Sequence, residues 1–123
     1  MIDSIKTLVI GGGGFIGSHL VPQLISNGRK VTALGRSIKP RYNLPDSAVY
    51  VQGDFAKKDL IVNLLEQHDE VIHLAYATVP NTSFDNPLGD LLQNLPPTVQ
   101  LFYEAAARDV KLVLVSSGGT VYG

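Results

Sequence analysis

One segment constrains the fold of this chain more than any other, Val9-Ile-Gly-Gly-Gly-Gly-Phe-Ile-Gly-Ser-His-Leu20. Its glycines follow a short apolar run, Thr7-Leu-Val-Ile10, and precede a stretch with helical spacing. Gly11, Gly14 and Gly17 make a G-x-x-G-x-x-G pattern between strand and helix, the setting in which such a pattern has a physical use. Gly11 permits the tight turn out of the strand, and Gly14 has no Cβ to obstruct a diphosphate approaching the backbone. Gly17 lets the helix pack close to the sheet. Free N–H groups and the positive end of the helix dipole would then face the anion. The plainer alternative is a glycine loop that only reverses the chain. A nucleotide-hydrolysing P-loop is disfavoured by residue type. Gly12 to Gly17 has the G-x4-G spacing, but Ser18-His19 stand where Lys-Ser/Thr is required.

The rest of the chain repeats the strand–helix alternation. Short apolar runs at 7–10, 30–34, 48–52, 71–74 and 111–115 have too few polar positions for half-wet strands, and suit a parallel sheet covered on both faces. Helical spacing predicts helices from Phe15 to about Asn27, with Asn27-Gly28 as a left-handed stop, and from Lys57 to Gln67. Pro22 falls inside the first of these and could bend it. A third helix begins near Asn86-Pro87 and a last one spans about Thr98 to Arg108, with Pro96-Pro97 expected to break or kink the stretch between them. Residues 35–47 read as loop. The implied architecture is α/β, a doubly wound parallel sheet of Rossmann-like type with about five strands, forming one dinucleotide-binding domain over 1–123.

Composition narrows the function classes. Ten Lys and Arg against 11 Asp and Glu give a net charge of −1, which offers no field for nucleic acid or an anionic membrane. With no cysteine, disulfide scaffolds, thiol catalysis and Cys–zinc sites are excluded, and three separated histidines predict no metal site. No apolar run approaches the roughly 20 residues of a membrane helix, and the start lacks a signal-peptide pattern, so a cytoplasmic setting is expected.

A dinucleotide site needs a group for the adenosine ribose about 20 residues past the glycines. Leu34-Gly35-Arg36-Ser37 occupies that place, and it has no carboxylate to hold both ribose hydroxyls. Arg36 and Ser37 would instead suit a 2′-phosphate, a lean to NADP over NAD. Alternatively, Arg36 is a solvated loop charge or stacks on adenine with either cofactor.

These motifs together resemble the extended short-chain dehydrogenase/reductase family, in particular the NAD(P)-dependent nucleotide-sugar epimerases and dehydratases, whose best-known type is UDP-glucose 4-epimerase. Gly11-Gly-Gly-Gly-Phe-Ile-Gly-Ser-His-Leu20 matches the family's glycine signature almost throughout, with Phe15 and Ile16 inside it. Gly53-Asp54-Phe55 is similar to the Gly-Asp-apolar element that meets the adenine, although Asp54 also suits a turn. His73-Leu74-Ala75 resembles the segment lining the nicotinamide ribose, which implies that Leu74, Ala75 and Tyr76 flank it. The alternative for His73 is a ring that serves backbone groups alone. Asn94 with Thr98 fits an Asn-x-x-x-Thr helix in which the Asn approaches the cofactor. Val115-Ser-Ser-Gly-Gly-Thr-Val-Tyr-Gly123 resembles the strand end that carries the family's catalytic Ser or Thr. Ser116 would sit on the cofactor side, and Ser117 and Thr120 are the catalytic candidates, unless the serines bond only locally.

The resemblance also has departures. The family's acid–base pair is Tyr-x-x-x-Lys, in which the lysine lowers a phenol pKa from about 10. None of the five tyrosines here has a lysine four residues on, and Gly118 stands where the family places its Ser or Thr. The resemblance therefore implies an N-terminal cofactor-binding portion whose substrate-binding part is absent, with no turnover by this chain alone. The rival expectation is a non-catalytic dinucleotide-binding module, a redox sensor or scaffold. The implied partners are a nucleotide-sugar in the intact enzyme and a homo-oligomeric copy, and self-association through an uncovered sheet edge is expected.

Overall fold

The computed structural model describes residues 4–74 and 87–115. In chain order these form β1 (Lys6–Ile10), α1 (Phe15–Ser26), β2 (Lys30–Gly35), β3 (Val49–Gln52), α2 (Lys58–Glu66), β4 (Glu70–His73), α3 (Pro87–Ala107) and β5 (Lys111–Leu114). The five strands make one sheet in the order β3-β2-β1-β4-β5, and every neighbouring pair is parallel. The chain moves outward one way from β1 to β2 and β3, then returns to the other side of β1 for β4 and β5. The C-terminal ends of the strands flanking that reversal form the crevice in which sheets of this kind bind ligands.

Alternation along the strands divides the core between two faces. Leu8, Ile10, Leu34 and Val71 are buried with Phe55, with Ile61, Leu64 and Leu65 of α2, and with Leu101 and Ala105 of α3. Val9 and Val31 pack on the opposite face with Val21, Leu20, Leu24 and Ile25 of α1. Helices on both faces explain why these strands carry almost no polar residues. One exception is an ionic cluster at the bottom of the sheet. Thr7 Oγ1 donates to Glu70 Oε1 at 2.6 Å, and Arg29 Nε donates to the same oxygen at 2.6 Å. Burial pushes the Glu70 carboxyl pKa up. The hydrogen bonds from Thr7 and Arg29, with the charges of Arg29 and Lys111, outweigh it and leave the pKa lowered.

The stop after α1 takes the expected form. Gly28 has φ +88°, its N–H donates to Ile25 O at 2.9 Å, and Arg29 N–H donates to Leu24 O at 3.1 Å. These are the two bonds of a Schellman motif. Residues 36–48 contain no helix. Pro22 lies inside α1 without ending it.

The break expected at Pro96-Pro97 is corrected, because α3 runs unbroken through both prolines. Each proline removes a backbone donor, yet the helix is anchored on both sides of the pair. Asn94, Thr98, Leu101 and Ala105 are buried on one face, and Thr98 Oγ1 donates to the Asn94 carbonyl at 2.7 Å. Tertiary burial along the helix overrides the local proline penalty of about 3 kcal/mol.

Candidate dinucleotide-binding site

The glycine turn links β1 to α1. Gly11 has φ +84°, a left-handed conformation, and its N–H donates to Leu34 O at 2.7 Å, tying the turn to the end of β2. Gly14 N–H donates to Gly11 O at 3.2 Å, and Gly14 is the N-cap of α1, with no side chain capping the helix. A Cβ on Gly14 would find only Gly11 O within 4 Å, at 3.5 Å, so it would project into open space in front of the helix. Gly17 is different. A Cβ there would overlap the Gly12 carbonyl, with the carbon and Cα of Gly12 at 2.5 and 2.6 Å. Gly17 therefore packs the helix against the turn itself. The close approach to the sheet falls to Gly12, whose Cβ would lie 2.7 Å from that of Ala33.

A cavity of about 250 Å³ opens at this rim. Its walls are Gly11, Gly13 and Gly14 from the turn, Leu34, Gly35, Arg36 and Ser37 from the end of β2, Gly53 and Phe55 after β3, and Arg41 and Tyr50. The sequence-predicted residues Gly11, Gly14, Arg36, Ser37 and Phe55 thus meet in one cavity. Gly13, Arg41 and Tyr50 were not among the expected residues. Their role depends on the loop after β2, which folds back across the turn. Tyr42 N–H donates to Gly13 O at 3.2 Å, and the Tyr42 ring meets Phe15 edge-on with centroids 5.9 Å apart. Tyr50 Oη donates to Ser37 O at 2.7 Å, and burial raises the phenol pKa, so it stays a protonated donor. Two prolines, two tyrosines and an arginine within 40–50 were the only available signal.

Asp54 does two things. Its Oδ1 accepts from Ala56 N–H at 2.9 Å, the turn role that its sequence suggests, and the same oxygen lies 3.5 Å from Arg36 Nη2. Gln52 Nε2 also donates to Arg36 O at 3.3 Å, so the ends of β2 and β3 are tied together beside the cavity. Phe15 and Ile16 expose their side chains at the start of α1, and Ile16 is 55% exposed despite its apolar character.

Phe55 is buried against His73, with ring centroids 4.9 Å apart. His73 is completely buried, and desolvation holds its pKa down to about 4, so the ring is neutral at pH 7. Leu74 donates its N–H to Ile10 O at 2.8 Å, and its side chain is half-buried against the cluster of Val9, Val21 and Val31. Asn94 is buried on α3. Ala75, Tyr76, Ser116, Ser117 and Thr120, with Gly118, lie outside the described residues. Among the described residues no group of His, Cys, Asp or Glu is placed to hold a metal ion, and no helix is long and apolar enough to cross a membrane.

The residues present fit a dinucleotide. The turn leaves open space at an uncapped helix N-terminus, and the adjoining cavity offers apolar walls with cationic side chains at its edge. The fold is a Rossmann-like α/β domain with a candidate dinucleotide site at its C-terminal rim. The family model for the NAD dependent epimerase/dehydratase family matches residues 7–123, and the chain belongs to that family. It is 40% identical to the UDP-glucose 4-epimerase of Mycolicibacterium smegmatis, over 96% of this chain and 40% of that protein. The UDP-glucose 4-epimerase of Thermotoga maritima, solved with UDP-glucose, superposes with a TM-score of 0.85 at 30% identity, over 97% of this chain and 40% of that one. The UDP-glucose 4-epimerase of Thermus thermophilus, solved with NAD, gives a TM-score of 0.81 at 30% identity, over 93% of this chain and 38% of that one. The chain spans 39% of the length of the first curated relatives it matches.

Proposed function

We propose that this chain binds NAD as the cofactor portion of an epimerase acting on a nucleoside-diphosphate sugar. The observation that carries this reading is the cavity at the C-terminal rim, where an uncapped helix start with open space before Gly14 adjoins the ends of β2 and β3. Gly11 to Gly17 would hold the diphosphate through backbone N–H groups, and Arg36 and Ser37 would meet the adenosine ribose. Asp54 and Phe55 would face the adenine, and Leu74, Ala75, Tyr76, Asn94 and Ser116 would lie toward the nicotinamide. Ser117 and Thr120 keep the substrate-side role that their motif implies. When bound, the nicotinamide takes up and returns a hydride.

The lean to NADP rests on Arg36 meeting a 2′-phosphate. The Asp54 carboxylate 3.5 Å from its guanidinium partly neutralises that cation and would repel a phosphate, which weighs toward NAD. The 123 residues hold no Tyr-x-x-x-Lys, which favours a second reading, binding by this chain without turnover. Calorimetric titration of the chain with NAD+ and NADP+ tests the first reading. Saturable one-to-one binding, tighter for NAD+, is expected. No heat change with either dinucleotide, for a chain that circular dichroism shows to be folded, refutes it. Epimerisation of a UDP-sugar by this chain would refute the second.

We also assign a homo-oligomeric contact to α3. Leu88, Leu92, Leu95, Val99 and Phe102 are exposed along a stripe of the helix that adjoins the buried side formed by Asn94, Thr98, Leu101 and Ala105. Their alternating spacing of four and three is the seam by which helices pair, so a second copy of this helix is the fitting occupant. Sedimentation equilibrium should show a dimer that Leu92→Glu dissociates, and a wild-type monomer at every concentration would remove the assignment. The cytoplasm, where dinucleotides are supplied, is the proposed compartment.

A further inference from the structure

Two arginines border the cavity, and the structure gives them different surroundings. Arg36 faces Asp54. Arg41 lines the same cavity, and among the described residues it forms no ion pair. Its guanidinium carbon stands 5.9 Å from the centre of the Tyr42 ring.

The backbone beneath Arg41 is placed by contacts on both sides. After it in the chain, Tyr42 is bonded through its N–H to Gly13 O and packs against Phe15. Before it, Pro40 lies so close to Gly13 that a Cβ there would be 3.1 Å from the proline ring, and Ser37 O accepts from Tyr50. The loop is thus a strap across the glycine turn. It carries a cation, with no carboxylate partner among the described residues, to the edge of the space in front of Gly14. A planar guanidinium with five donors suits a phosphate group there.

We propose that Arg41 is a phosphate-binding residue of this site, acting from the strap on a phosphate of the bound dinucleotide. This rests on the dinucleotide reading above. Two phosphates of such a ligand lie within the chemistry described, the 5′-diphosphate common to NAD and NADP and the 2′-phosphate of NADP alone. Arg41 would complement the backbone N–H groups, which supply direction but no full charge.

The test compares the full chain with Arg41→Ala and Arg41→Lys, using NAD+ and NADP+ by calorimetry and phosphate-free adenosine by saturation-transfer NMR. Circular dichroism confirms that each variant is folded. Arg41→Ala should weaken dinucleotide binding roughly 10-fold or more, the worth of a charge-assisted hydrogen bond, and leave adenosine unchanged. Arg41→Lys should recover part of the loss. Equal losses for NAD+ and NADP+ assign the contact to the 5′-diphosphate, and a loss confined to NADP+ assigns it to the 2′-phosphate. Unchanged dinucleotide affinities overturn the proposal and leave the dinucleotide reading intact, and so does an equal loss extending to adenosine. A folded wild-type chain that binds neither dinucleotide overturns both.

Discussion

Replacing Gly17 with alanine sets two opposed effects against each other at one atom. In a helix interior alanine is favoured over glycine by about 1 kcal/mol, so on local grounds the change should stabilise α1. The added Cβ, however, would overlap the Gly12 carbonyl and lie 2.5 and 2.6 Å from the Gly12 carbon and Cα. Relaxed carbon–carbon contacts lie at about 3.5–4.0 Å, so the helix start and the turn must separate by roughly 1 Å. Gly12 cannot yield toward the sheet, because its own Cα side already faces Ala33. Forcing extra atoms into a packed site costs about 1–3 kcal/mol, and backbone on both sides puts this site near the upper end. The net expectation is a loss of about 2 kcal/mol. At about 4 °C per kcal/mol, that lowers Tm by roughly 8 °C. Urea titration followed by far-UV circular dichroism measures it directly. Gly14→Ala is the control, since its Cβ meets open space, and it should cost under about 1 kcal/mol as a lost N-cap preference. If Gly17→Ala is as stable as the wild type, the reasoning about the turn is wrong.

Three further outcomes follow from particular contacts. His73 has a folded-state pKa near 4 against an ordinary 6.5, so between those values the unfolded chain binds a proton that the folded chain excludes. Stability should therefore fall as pH drops from about 6.5 toward 4, by up to about 3 kcal/mol, and His73→Leu should flatten that part of a urea-midpoint profile. A profile unaltered by the substitution would contradict the burial of the ring. Arg29→Met leaves the Glu70 carboxylate with Thr7 as its one hydrogen-bonding side chain among the described residues, and should cost roughly 2 kcal/mol in urea. Glu70→Gln in the same background should restore part of it. Replacing Pro96 and Pro97 together with alanine restores two backbone donors within an unbroken helix, and should raise stability by about 1–3 kcal/mol. A lower melting temperature would mean that the prolines hold a bend that the fold needs.

The strands were legible because burial on both faces removes the polar positions that would otherwise disguise them, so 30–34 and 71–74 stand out as apolar runs. Gly28 was legible for a different reason, since a left-handed residue ending a helix is a local requirement. The continuity of α3 was not legible. Proline penalties are local and readable, but the burial of Asn94, Thr98, Leu101 and Ala105 that offsets them depends on distant parts of the chain. That Gly11, Gly14, Arg36, Ser37 and Phe55 would meet at one cavity was legible because each has a fixed offset from a strand end. Arg41 and Tyr50 escaped because they reach the cavity only through a strap whose contacts, with Gly13 and Ser37, join segments 13 to 29 residues apart. Gly17 was found for the wrong neighbour, since spacing marks a glycine that needs room but does not say what fills it.

The most direct test of the account is residue-resolved. In a ¹⁵N-labelled sample of this chain titrated with NAD+, the largest amide shifts should fall on Gly11 to Gly17, with a second group at Gly35 to Ser37. Gly14→Ala should abolish both while leaving the spectrum that of a folded protein. Shifts that saturate elsewhere on the chain while the Gly14, Phe15 and Ile16 amides stay still would contradict the claim that the start of α1 receives the diphosphate.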